Sequence, residues 1–125
     1  MYEKQTETLT WVRVCRTEDV PRDGGACVKL GDEQIALFYI TGSDSWYATQ
    51  NLCPHKQQMA ISRGMTGEAA GEPKVACPFH KKTFSLETGG CLSDPGVYRL
   101  RTYPVKTGDG YVFVGIGQQE ALEPA

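Results

Sequence analysis

Runs such as Thr10-Trp-Val-Arg-Val14 and Tyr111-Val-Phe-Val114 combine β-branched and aromatic residues over lengths too short for a helix. They read as strands packed on one or both faces. The same pattern predicts strands over 9–15, 26–30, 34–41, 46–49, 74–76, 83–86, 100–106 and 111–116. Turn-forming clusters separate them, at 22–25 (Arg-Asp-Gly-Gly), 42–44, 87–90, 93–96 and 107–110 (Thr-Gly-Asp-Gly). No long segment repeats with a period of 3.6 residues. Helix is confined to a short turn over 17–20, after a Thr or Asp cap, and a frayed tail over 118–122. The chain is therefore read as all-β, a small antiparallel barrel or sandwich. Residues 61–65 are placed beneath the functional loops as packing. Residues 66–72, small and polar, are read as an exposed connection.

At 125 residues the chain is expected to form one domain over 1–125, with a core over about 10–117 and flexible tails. A net charge of −2 gives no broad attraction to nucleic acid or anionic lipid. The N-terminal residues lack the apolar stretch of a signal peptide. The longest apolar run, 35–40, is far too short to span a bilayer, so the expected location is the cytosol. Trp11, Trp46 and Tyr47 are expected in the core.

The chemistry sits in two short motifs, Cys53-Pro-His55 and Cys77-Pro-Phe-His80, which use both histidines of the chain. Two thiolates and two imidazoles form a four-ligand set for iron–sulfur or zinc. Structural zinc sites usually draw like ligands from one short segment, whereas here each loop brings one Cys and one His. Mixed pairs suit a two-iron cluster with thiolates on one iron and imidazoles on the other. Cys53, His55, Cys77 and His80 are thus candidate metal ligands, with a structural zinc site or a metal-free interaction module as alternatives. Pro54 and Pro78 fix the backbone beside each cysteine. Cys15, Cys27 and Cys91 are expected as thiols, serving as small buried apolar groups. No Gly-rich nucleotide loop, Ser-His-Asp set or further histidine is present, so no catalytic residue is assigned. Lys56, Lys81 and Lys82 follow the candidate histidines and form a possible basic collar for docking an acidic partner.

These motifs resemble the Rieske family, whose pattern is Cys-x-His followed by Cys-x₂-His. Within it the chain is most similar to the small subunits of NAD(P)H-dependent assimilatory nitrite reductases. That similarity rests on 31–38, Ser62-Arg-Gly64, 84–92 and Tyr103-Pro-Val105. It implies a Rieske-type fold with two hairpin loops forming the cluster-binding subdomain, a [2Fe–2S] cluster, and a role in nitrate assimilation. It also implies a large partner subunit that carries FAD, [4Fe–4S] and siroheme. The small subunit would be a non-catalytic part of the oxidoreductase. Ferredoxins of aromatic-ring dioxygenase systems share the ligand pattern and are the alternative, although their two ligand pairs usually lie closer together. High-potential members carry an extra Cys in each loop and Ser and Tyr hydroxyls near the sulfurs. Here Phe79, Lys82 and Phe84 occupy the corresponding positions of the second loop, which implies a potential near the low end of the Rieske range.

Overall fold

The computed structural model describes residues 9–54, 58–69, 71–78, 82–93 and 96–117. Its strands are β1 (Leu9–Arg16), β2 (Gly25–Leu30), β3 (Glu33–Ile40), β4 (Ser45–Gln50), β5 (Leu52–Cys53) and β6 (Gln58–Met59). There follow β7 (Met65–Ala69), β8 (Glu72–Ala76), β9 (Thr83–Ser85), β10 (Thr102–Tyr103), β11 (Val105–Gly108) and β12 (Tyr111–Gly117). Every ladder between them is antiparallel. The expected helical turn over 17–20 is a 3₁₀ turn at Thr17–Asp19, and a second lies at Ile61–Arg63. No helix among the described residues is long and apolar enough to cross a membrane. The expected tail helix over 118–122 lies outside the described residues.

The architecture follows from β3. Ile35, Ala36, Leu37 and Phe38 are all fully buried, so both faces of this strand are covered. Because successive side chains point to opposite faces, they feed two separate cores. Ile35 and Leu37 pack with Val20, Ala48, Tyr103, Val112 and Val114, between the sheet β10-β4-β3-β2 and the sheet β1-β12-β11. Ala36, Phe38 and Ile40 join Ile61, Val75, Phe84, Leu86 and Leu100 on the other side, against the sheet β7-β8-β9. Both candidate ligand cysteines belong to this second core.

Two sequence expectations are corrected. The run 100–106 is not one strand: Tyr103 pairs with Ala48 of β4, whereas Val105 pairs with Val114 of β12. Pro104 is the joint, since it has no amide to donate, and its carbonyl instead accepts the Gly115 amide at 2.9 Å. The region 66–72 is not a simple connection: β7 pairs with β8 from Met65↔Ala76 to Ala69↔Glu72. Its small polar residues conceal the strand because β7 is an edge, ordered by its partner's hydrogen bonds rather than by burial of its own side chains.

Trp11 also departs from expectation. It is 37% exposed, lying on the outer face of β1 over Gly115 with the Lys106 Nζ 4.4 Å from its ring. The neighbouring register explains the rest of that face: a bulge between Arg13 and Cys15 turns both Val14 and Cys15 toward the core. Arg13 and Arg16 therefore both lie over Tyr111, 4.7 and 5.7 Å from its ring centre. Trp46 and Tyr47 pack against the two cores as expected.

Candidate metal centre

Cys53 ends β5 and pairs with Gln58 of β6, so it stands at the base of a hairpin loop that carries His55 and Lys56. Cys77 directly follows β8, and its amide donates to the Lys82 carbonyl at 2.8 Å, one step beyond the Ala76↔Thr83 pair. It too stands at a hairpin base, under a loop that carries Phe79, His80 and Lys81. His55, Lys56, Phe79, His80 and Lys81 lie outside the described residues. The expected placement of the cysteines on paired loops is borne out. Both have no solvent exposure, and one apolar cluster holds them together with Ala60, Ile61, Phe84 and Cys91. The five cysteines form no disulfide.

Of the three thiols in this dry cluster, those of Cys53 and Cys77 each stand at a hairpin base. A buried thiolate without a cation is costly, whereas a metal ion both deprotonates a thiol and compensates its charge. This donor pair fits the thiolate half of a Cys₂His₂ iron–sulfur centre. Among the described residues no three His, Cys, Asp or Glu side chains come together as a metal site, and both histidines fall outside that set.

The first loop is held by residues that motif reading missed. Asn51, only 2% exposed, accepts the Ser62 amide on Oδ1 at 2.7 Å and donates from Nδ2 to Gln34 Oε1 at 3.0 Å and Cys27 Sγ at 3.5 Å. Its carbonyl accepts the amides of Ala60 and Ile61, and its amide donates to the Gln34 carbonyl. Nothing in the pattern of a lone Asn ahead of the motif signals this. Gln50 adds a strap, donating to the Leu52 carbonyl at 2.7 Å and accepting the Arg101 amide at 2.8 Å. Ile61 packs beneath the site as expected, being fully buried in the cysteine cluster, whereas Met65 is 78% exposed.

Close packing explains Ser62-Arg-Gly64. A Cβ on Gly64 would lie 2.2 Å from the Ala76 carbonyl oxygen, so the 3₁₀ turn beneath the first loop touches the strand that delivers Cys77. The second loop is buttressed by the following segment. The Leu92 amide donates to the Thr83 carbonyl, the Thr83 amide to Ser93 Oγ, and Cys91 Sγ lies 3.4 Å from the same oxygen. The Ser85 hydroxyl donates to Glu72 and accepts the amides of Glu87 and Thr88. Gly89 is required at φ +83, where a Cβ would meet the Leu100 carbonyl.

The remaining cysteines divide. Cys91 is buried beside the ligand pair. Cys15 is half-buried, its thiol pKa pushed up by burial and then by Asp19. Cys27 departs from the expectation of a buried group: it is exposed, donates to Gln34 Oε1 at 3.5 Å, and partial burial raises its pKa. Lys82 is half-buried at the base of the second loop. Phe84 is fully buried within the cysteine cluster and offers no hydroxyl there.

The model of the Rieske-like [2Fe–2S] domain matches residues 10–115. The chain belongs to this family. The Rieske-type [2Fe–2S] cluster is the cofactor of the family, and the buried cysteine pair accords with it. The small subunit of nitrite reductase (NADH) from Escherichia coli K12 is 35% identical over 102 residues, 82% of this chain and 94% of that protein. The nitrite reductase [NAD(P)H] large subunit from Klebsiella oxytoca is 38% identical over 105 residues, 84% of this chain. The chain spans only 11% of that large subunit's length. A crystal structure described as a putative NADH-dependent nitrite reductase small subunit from Mycobacterium tuberculosis superimposes with a TM-score of 0.79. It is 32% identical, covering 86% of this chain and 96% of that one. Among dioxygenase ferredoxins, the 3-phenylpropionate/cinnamic acid dioxygenase ferredoxin subunit of Photorhabdus laumondii is 35% identical over 86% of this chain and 95% of its own length.

Proposed function

We propose that this chain is the Rieske electron-transfer subunit of an NAD(P)H-dependent nitrite reductase, in which Cys53, His55, Cys77 and His80 hold one [2Fe–2S] cluster. The reading takes residues 1–125 as a single Rieske-type domain, located in the cytoplasm and paired with a large nitrite reductase subunit. The observation that carries it is the meeting of Cys53 and Cys77, each at a hairpin base, in one solvent-free cluster. The partner follows from likeness: small-subunit relatives are matched over nearly their whole length, and the same region aligns within a large-subunit protein.

When bound, the cluster supplies transfer of one electron at a time. The chain's own residues do the rest. Cys53 and Cys77 bring thiolates from the dry side, where Ile61, Val75 and Phe84 exclude water. Cys53 and Cys77 stand at hydrogen-bonded hairpin bases, and His55 and His80, two and three residues further along the chain, would supply the imidazole ligands. Phe84 withholds the hydroxyl that would stabilise the more negative reduced state, so the potential is expected near the low end of the Rieske range. Lys56, Lys81 and Lys82 directly follow the candidate histidines in sequence and would supply positive charge for an acidic partner.

The test is reconstitution. The purified chain, added to a large nitrite reductase subunit lacking its own small subunit, should form a stable complex and raise nitrite-dependent NAD(P)H oxidation. The competing role is that of a dioxygenase ferredoxin, which the Photorhabdus relative keeps in play. Efficient reduction by a dioxygenase ferredoxin reductase, with no effect on the nitrite reaction, would favour that role and contradict the proposal.

A further inference from the structure

Asn51 lies two residues ahead of Cys53, is almost wholly buried, and has every polar atom hydrogen-bonded, including a contact from Nδ2 to Cys27 Sγ of β2 at 3.5 Å. Its Oδ1 takes the Ser62 amide, its carbonyl takes the amides of Ala60 and Ile61, and its Nδ2 and amide hold Gln34 of β3. These bonds tie both ends of the Cys53 hairpin, at 51 and at 60–62, to the fully buried central strand. Between the two ties the strand ladder consists, among the described residues, of the Leu52↔Met59 and Cys53↔Gln58 pairs. A ladder of two pairs is too short to be stable by itself.

We propose that Asn51 is the positioning residue of the first ligand loop, its carboxamide acting as a clamp that holds Cys53 in the orientation needed to bind the cluster. The inference rests on Cys53 being a ligand, but the clamp is measurable in the metal-free protein and so stands or fails separately from that reading. Its chemistry is specific. Oδ1 must accept from Ser62 while the other side of the group engages the Gln34 carboxamide, and an apolar side chain of similar volume satisfies neither. A carboxylate keeps the Ser62 bond, and the Gln34 amide can turn over to donate to it, closing the clamp with reversed polarity.

Three variants separate positioning from simple stability: N51L, N51D and Q34L. In metal-free protein, hydrogen exchange at Ser62 should accelerate by about tenfold or more in N51L and stay near wild type in N51D, the size expected for one lost hydrogen bond. Exchange at Val112 and Val114, in the other core, should not change. In loaded protein, N51L should release iron to a chelator with roughly tenfold weaker retention, as for other lost partners of metal ligands. Its reduced-state electron-spin-resonance lines should broaden, and N51D should restore both signatures. Q34L, which leaves the Ser62 bond and the backbone bond from the Asn51 amide to the residue-34 carbonyl but removes the carboxamide that Asn51 Nδ2 engages, should fall between and serves as the deciding variant if N51L does not fold. Wild-type exchange at Ser62 with unchanged iron retention in N51L, or in Q34L if N51L cannot be prepared, would overturn the proposal. Equal acceleration at Ser62, Val112 and Val114 would also overturn it, since Asn51 would then support the whole fold and not the loop.

Discussion

Replacing Gly64 by alanine tests how the two ligand loops are kept in register. Gly64 has φ −75 and ψ 169, a conformation open to any residue, so the substitution carries no backbone strain and acts through contact alone. The new Cβ would lie 2.2 Å from the Ala76 carbonyl oxygen and 2.8 Å from a Val75 methyl. Real Cβ contacts essentially never fall below 3.0 Å, so the turn and β8 must separate by close to an ångström. Ala76 immediately precedes Cys77, so the movement is delivered to a candidate ligand. Overpacking of this kind costs about 1–3 kcal/mol, or a fall in Tm of roughly 3–10 °C for a domain of this size. The assay is thermal unfolding of metal-free and loaded G64A protein, with iron content measured on the loaded form. G42A is the control, because nothing lies within 4 Å of a Cβ at Gly42 and its φ is not left-handed. G64A should lose stability and iron together while G42A does not. Wild-type Tm and full iron retention in G64A would refute the close contact as the link between the loops.

The remaining predictions address ligation, potential, docking and pH. Changing Cys53 or Cys77 to Ser should abolish the visible absorption of the cluster; retention of colour in C77S would remove that residue from the ligand set. Direct electrochemistry should return a midpoint below about 0 mV, within a family range of roughly −150 to +300 mV; a value above about +150 mV would mean that other donors reach the sulfurs. Reversing Lys81 and Lys82 to Glu should slow association with the large subunit and weaken its salt dependence while leaving the cluster spectrum intact; an unchanged rate would place docking elsewhere. Asp23 accepts bonds from the Thr41 hydroxyl at 2.7 Å and amide at 3.0 Å, which hold its carboxyl below the usual range. Its stabilising effect should therefore be present above the ordinary value near pH 3.9 and vanish as pH falls through the lower folded value. Denaturant midpoints of wild type and D23N should differ at neutral pH and converge in acid, and a constant difference would remove Asp23 as the cause.

Most strands were readable because the chain writes them with β-branched and aromatic runs, and β3, buried on both faces, announces itself as the continuous apolar stretch around 35–40. Pro104 is instructive in the other direction. The run 100–106 looks uniform, yet it belongs to two sheets, and only the pairings of Tyr103 and Val105 reveal the crossing. β7 stayed hidden because its order comes from its partner. At the site, the cysteines declared themselves through repetition, whereas Asn51 did not: its role depends on Gln34, Ala60 and Ser62, which approach it only once the sheet has formed. Trp11 misled because an aromatic in a strand is usually core, and here Lys106 covers it from outside.

The central claim is that Cys53, His55, Cys77 and His80 together hold one [2Fe–2S] cluster. Pulsed electron-spin resonance of the reduced, anaerobically prepared protein tests it most directly, since nitrogen hyperfine coupling reports imidazole bound to iron. Coupling from two histidine nitrogens is expected, with one coupling lost in H55C and the other in H80C. A reduced cluster with no strongly coupled nitrogen, or stoichiometric zinc without labile sulfide, would contradict it.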